Sequence, residues 1–200
     1  MKYAFVSVGL SYSKILSDFL GRNESFKNDS IVLTNNTHMF ADVITVEYKN
    51  KLFSYFDKIL HALRIVEEYR EDVLYIDADE LFNDNLLYWI KEINPNEKLV
   101  VYLENWPKKT LKDLDDVRFG MFKGMINDSH LDSETIKENF IYFPKSLPAT
   151  QLICELELLK PIFETLSIIH EGEKSIIGSG EGAALSYILT KNNIKTKKLL

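Results

Sequence analysis

A single cysteine, Cys154, stands in 200 residues. No internal disulfide can close on it, and no cage of thiolates can hold a metal. Histidine is scarce as well: His38, His61, His130 and His170 fall at no metal-ligand spacing, and His61 sits inside a helical pattern as a packing or surface residue. Long apolar runs are missing, and nothing approaches the ~20 residues that a helix needs to cross a bilayer. The opening MKYAFVSVGL carries one lysine and a short apolar run that soon meets Ser11, Ser13, Lys14 and Asp18. That is no secretory leader, so a cytoplasmic protein with no membrane span is expected. Positive charge is in the minority, 24 Lys and Arg against 30 Asp and Glu for a net −6. This argues against a dedicated nucleic-acid surface, while a few local cations can still serve a phosphate.

Apolar residues are plentiful, at 46% of the chain with 12% aromatic, which is enough for a sizeable core. The length fits one domain, and no repeat or linker divides 1–200. The pattern alternates. Tyr3–Gly9 (YAFVSVG), Ser30–Thr34 (SIVLT), Val43–Tyr48 (VITVEY), Val73–Asp77 (VLYID) and Leu99–Leu103 (LVVYL) read as strands. Between them, Ser11–Leu20 reads as a helix capped by Ser11 or Ser13 and stopped at Gly21. A long helix from about Lys51 to Arg70 and a shorter one around Asn85–Ile93 follow. Beyond Lys108–Asn139, an irregular charged excursion, come a strand-like Phe140–Pro144, a helical stretch around Cys154–Leu166, a glycine-rich loop, a helix from about Ala183 to Asn192 and a last strand, IKTKKLL. Such alternation implies an α/β fold: a mostly parallel central sheet with helices on both faces.

The chemistry concentrates in VLYIDADELF. Asp77 and Asp79 follow a strand that reads as central, at the end where open α/β sheets bind ligands. In an extended segment residues i and i+2 point the same way, so both carboxylates can face one site. Two hard oxygen donors suit Mn²⁺ or Mg²⁺, with the remaining positions left to a diphosphate and water. Glu80 points elsewhere in that geometry and reads as solvated or as support for the pair. The alternative is that the aspartates only cap the following helix.

Taken in order, these segments resemble the nucleotide-diphospho-sugar transferases of GT-A fold, of the glycogenin and bacterial galactosyltransferase type. AFVSVGLSYSKILSDFL is similar to that group's first strand, tyrosine-bearing loop and first helix, and SIVLTN to its second strand. FSYFDKILHALRIVEEYREDVLYIDAD resembles its helix and metal motif. ATQLICELELLKPIFETL resembles the strand and helix beside the sugar, and GSGEGAALSYILTKNNIKTKKL the acidic loop, helix and final strand.

The resemblance implies a single Rossmann-like GT-A domain that moves a sugar from a nucleotide-sugar donor, a UDP-sugar by family habit, to an unspecified acceptor. It implies that Ser7, Val8 and Tyr12 receive the nucleotide, with the Tyr12 ring stacking on the base. Lys58 would neutralise charge on the diphosphate. Glu181, flanked by Gly178, Gly180 and Gly182, would lie beside the reacting sugar as a catalytic group. Two features depart from the family. Ala149-Thr150-Gln151 replaces an Asn-Thr-Gly-like start to the late strand, and no histidine follows Glu181 to act as a third metal ligand. A silent nucleotide-sugar-binding relative and a D-x-D phosphatase of haloacid-dehalogenase type are the competing readings. The phosphatase type carries its motif on the first strand and continues it differently.

Overall fold

The computed structural model describes residues 1–50, 53–103, 139–171 and 181–199. Seven strands form one sheet: β1 (Lys2–Ser7), β2 (Ser30–Thr34), β3 (Ile44–Glu47), β4 (Val73–Ile76), β5 (Val100–Leu103), β6 (Phe140–Phe143) and β7 (Thr196–Leu199), in the order β3-β2-β1-β4-β6-β5-β7. β1 pairs in parallel with β2 and β4, β2 with β3, and β5 with β7. β6 alone runs against its neighbours β4 and β5. The mainly parallel sheet expected from the alternation is therefore present, with β6 inserted in the opposite sense near its middle.

Among the described residues six α-helices accompany it: α1 (Leu10–Arg22), α2 (Glu24–Lys27), α3 (Phe56–Tyr69), α4 (Leu86–Glu92), α5 (Ala149–Glu171) and α6 (Glu181–Lys191). The two-residue period of the strands sorts the core into two halves. Ala4, Val6, Ile31, Leu33, Val73, Tyr75, Ile141 and Phe143 pack under α3, α5 and α6. Phe5, Val32, Leu74, Ile76, Phe140 and Tyr142 face the opposite side, where Leu16, Leu20, Phe26 and Trp89 of α1, α2 and α4 close over them. β1, β2 and β4 are buried on both faces, which is why they read as unbroken apolar runs rather than as alternating ones.

Several boundaries shift. α1 begins at Leu10 with Gly9 at its cap position, and no side chain caps it. Ser13 lies inside the helix and donates to the Gly9 carbonyl at 3.0 Å. Gly21 does not stop the helix, which runs on to Arg22. α3 ends at Tyr69, closed by Arg70 in the left-handed region at φ 55°. The segment ATQLICELELLKPIFETL, which resembles a strand followed by a helix, lies entirely within α5. Leu152 and Leu156, one helical turn apart and both buried, explain why a helix forms there. Lys108–Glu138, Gly178 and Gly180 lie outside the described residues.

Candidate functional site

The parallel strands β1 and β4 lie side by side, so their carboxyl ends open on the same edge of the sheet. After β1 the chain turns through Gly9, whose φ of 104° suits glycine and strains any residue with a Cβ. The Asn35 side chain accepts a hydrogen bond from the Gly9 N–H at 3.0 Å, tying this turn to the end of β2. After β4 the chain leaves the sheet at Asp77, whose N–H donates to the Asn139 carbonyl at 2.8 Å. The two exits bound an open cleft of about 190 Å³ lined by Val6, Val8, Tyr12, Phe53, Tyr55, Lys58, Asp77, Ala78 and Asp79.

Five of the residues singled out in the sequence thus meet on one cleft: Val8, Tyr12, Lys58, Asp77 and Asp79. Tyr12 is half exposed, with its ring available to a ligand. Ser7 does not line the cleft. It is fully buried; its hydroxyl donates to Ser13 Oγ at 3.1 Å, and its carbonyl accepts from Thr34 Oγ1 at 2.7 Å. Its place is in the turn's own hydrogen-bond network, where Asn36 also reaches Ser13. Glu181 is buried at the start of α6 and is not among the described residues lining the cleft. Thr150 and Gln151 bond Glu67 and Asn192, so they hold α5 to α3 and to the turn that ends α6.

Asp77 is held on both of its carboxylate oxygens. Lys58 Nζ lies 2.7 Å from Asp77 Oδ2, and the Tyr75 hydroxyl donates to Oδ1 at 2.5 Å. Burial is the largest influence on this carboxyl and holds it above the usual range. The charge and hydrogen bond of Lys58 and the hydrogen bond of Tyr75 oppose the rise, and the nearby Asp79 charge adds to it. Lys58 is drawn inward because α3 buries both Phe56–Leu63 and the lysine stem among them. Its ammonium also sits 4.7 Å from the centre of the Tyr55 ring. The surface pairings open to it in sequence are used elsewhere: Glu47 binds Lys49, and Asp57 is held by Lys160 at 2.5 Å and by the Tyr48 hydroxyl at 2.9 Å.

The segment after β4 is a turn rather than an extension. Asp79 has helical backbone angles at the head of a short 3-10 turn, Glu80–Phe82, and its side chain makes no capping bond. It is exposed and reaches the cleft from that turn. Glu80 is not solvated. It is buried, and its carboxylate accepts from Asn139 at 3.1 Å and from Asn83 at 3.3 Å. Glu80 therefore fixes the turn that carries Asp79, and it ties that turn to the start of β6.

Phe53 and Tyr55 complete the wall beside Lys58, with ring centres 5.7 Å apart in an edge-to-face arrangement continued by Tyr48. The sequence pattern puts Phe53 only on the apolar side of the long helix and gives Tyr55 no role. The FSYFDK run does hold an aromatic at each alternate position just before α3, and that was the signal available. As a donor set, the two carboxylates have the hard oxygens an oxygen-seeking divalent ion prefers, and Asp79 is accessible. Among the described residues no group of three or more His, Cys, Asp or Glu side chains is placed to hold a metal ion. None of the described helices is long and apolar enough to cross a membrane.

No protein-family model matches the chain, and no curated protein matches it in sequence. Solved structures do match. The 4-diphosphocytidyl-2C-methyl-D-erythritol synthase from Anaerococcus prevotii aligns over 99% of this chain and 85% of its own at 13% identity, with a TM-score of 0.51. A chain described as a glucose-1-phosphate thymidylyltransferase from Bacillus anthracis, in complex with sucrose, aligns over 100% and 87% at 9% identity and a TM-score of 0.46. A mannose-1-phosphate geranyltransferase from Thermus thermophilus aligns over 100% and 74% at 12% identity and a TM-score of 0.44. The likeness to the first of these shows the fold, an α/β domain built on a seven-stranded, mainly parallel sheet.

Proposed function

We infer that this chain is a transferase acting on a nucleotide-linked sugar, moving the sugar from a nucleoside-diphosphate donor, a UDP-sugar, to an acceptor. The observation that carries the reading is the convergence on one cleft of an exposed aromatic ring, Tyr12, a lysine, Lys58, and two carboxylates, Asp77 and Asp79. A nucleotide-sugar needs those groups in that company. The base wants a ring to stack on, the diphosphate wants positive charge, and open α/β sheets bind such ligands at this edge. The diphosphocytidyl compound in the name of the first solved structure belongs to the same chemical class of ligand.

In sugar transfer the bond from the anomeric carbon to the diphosphate oxygen breaks and negative charge gathers on the leaving oxygen. Lys58, held in a partly buried position, is placed to receive that charge where it counts for more than it would in water. Val8 and the turn through Gly9 leave room for the nucleoside beside Tyr12. The Asp77–Asp79 pair is where an Mn²⁺ or Mg²⁺ ion would be held, its remaining positions filled by the donor and water, and it would supply further charge neutralisation to the leaving diphosphate. Glu181 is the acidic group assigned to the acceptor side. It is buried at the start of α6, and its part in the reaction rests on the resemblance alone.

Nucleotidyl transfer is the second reading, favoured by the fold shared with the diphosphocytidyl synthase. The products separate the two. Incubation with UDP-sugars and Mn²⁺ releases UDP if the chain transfers sugars, the sugar passing to water where no acceptor is added. Incubation with a nucleoside triphosphate and a sugar phosphate releases pyrophosphate if it transfers nucleotides. Absence of the first activity in a protein that binds no nucleotide-sugar would overturn the proposal.

A further inference from the structure

Both oxygens of Asp77 already have partners, and the partner on Oδ2 is itself a cation. A divalent ion that approached Asp77 would come close to the Lys58 ammonium, 2.7 Å from the same carboxylate, and the two positive charges would repel. A diphosphate entering beside Lys58 would meet an ammonium whose charge is already answered by Asp77. Each ligand on its own therefore binds against an existing ion pair. Together they dissolve it: the carboxylate goes to the ion and the ammonium to the phosphate.

We propose that Lys58 and Asp77 form an exchangeable ion pair that makes the divalent ion and the diphosphate depend on each other for binding. This rests on the reading of the cleft as a nucleotide-sugar site and assigns its two carboxylates different work. Asp79, exposed and free of a capping bond, is the first contact for the ion. Asp77 is released to it only when Lys58 changes partner. The surroundings suit such an exchange. The Tyr55 ring, 4.7 Å from Nζ, gives the ammonium a second favourable contact while it moves, and the Tyr75 hydroxyl at 2.5 Å keeps the carboxylate oriented once Lys58 has left. Coupling of this kind is reciprocal, so it must show from both sides.

The test uses the full chain and two simple probes, Mn²⁺ alone followed by water-proton relaxation, and inorganic pyrophosphate in EDTA followed by calorimetry. Lys58→Met removes the competitor for Asp77 and should tighten Mn²⁺ binding in the absence of any phosphate by roughly tenfold, within the range usual for coupled sites. Asp77→Asn removes the competitor for Lys58 and should tighten metal-free pyrophosphate binding by a similar factor. Melting curves establish that each variant is folded, and either variant alone suffices if the other is not. Unchanged or weaker binding of the probe in a folded variant overturns the exchange. The outcome stands apart from the donor reading. Turnover of a UDP-sugar with no gain in Mn²⁺ affinity for Lys58→Met removes the exchange alone, and both gains without binding of any nucleotide-sugar leave the exchange and remove the donor.

Discussion

Tyr12 and Asp77 line the same cleft although α1 carries the one and the exit from β4 carries the other, because β1 and β4 are parallel neighbours that end on the same edge. If the Tyr12 ring stacks on a nucleobase, Tyr12→Ala weakens UDP binding by roughly 1–3 kcal/mol, the scale of base–aromatic stacking. Tyr12 is 53% exposed and alanine favours a helix, so the melting temperature should not fall. Unchanged UDP affinity, measured by calorimetry with Mn²⁺ present, would leave Tyr12 as a surface residue of α1.

Asp79 and Asp77 should part company in their effects. Asp79→Asn leaves the turn intact, since Glu80, Asn83 and Asn139 hold it and the Asp79 side chain caps nothing. The variant should keep its wild-type melting temperature and metal-free UDP affinity while losing the increment in UDP affinity that Mn²⁺ brings. Retention of that increment would take the ion away from this pair.

The order of strands and helices was legible because the central strands β1, β2 and β4 are short apolar runs buried on both faces and the helices between them keep a helical period. The placing of Tyr12 and Asp77 on one cleft followed from the rule that parallel strands gather ligands at their carboxyl ends, whereas Lys58, on α3, came from the resemblance alone. What escaped was local. Ser7 stands at the end of a strand that leads to the cleft, yet its side chain turns inward to Ser13, a choice set by the turn at Gly9 and the Asn35 and Asn36 amides. Of the two readings of Glu80, the solvated one fails because the chain abandons the extended backbone after Asp77, and the supporting one agrees with its bonds to Asn83 and Asn139. The antiparallel β6 could not be told from a parallel strand, because a strand buried on both faces carries the same apolar run in either direction. Lys58 showed no sign in sequence of its partner Asp77, nineteen positions away.

His61 gives the fold a pH dependence of known sign. It is buried in α3 with Nε2 3.0 Å from the Ile31 carbonyl, so that nitrogen carries the proton and donates. Burial lowers its pKa to about 4, with the Arg64 charge pushing the same way and the hydrogen bond to Ile31 opposing. In the unfolded chain histidine titrates near 6.5. The unfolded state therefore binds the extra proton first, and stability present above pH 6.5 is lost as the pH falls towards 4. At about 1.4 kcal/mol per unit, this group should cost roughly 2 kcal/mol by pH 5. Asp77, held above the usual carboxylate range, acts in the opposite sense and is shared by the variant used as control. His61→Gln keeps a donor for Ile31 and removes the titration. Urea unfolding at pH 7 and pH 5 should show the wild type losing about 2 kcal/mol more than the variant, and equal losses would remove His61 as the cause.

Glu181 decides between a working transferase and a relative that only binds. It opens α6 and is buried there, a position where an acidic side chain also favours the positive end of the helix. The two roles predict different losses. Glu181→Gln keeps the size and removes the charge, so a group acting on the acceptor as general base should lose about 10²–10⁴-fold in turnover with donor affinity nearly unchanged. A group that serves only the helix end should lose roughly 0.3–1 kcal/mol of stability and no turnover per folded molecule. Sugar transfer or UDP-sugar hydrolysis and thermal melting, measured on the same preparation, separate them. A lower melting temperature with wild-type turnover would place Glu181 in the helix end alone. The acid on the acceptor side would then have to come from another part of the chain.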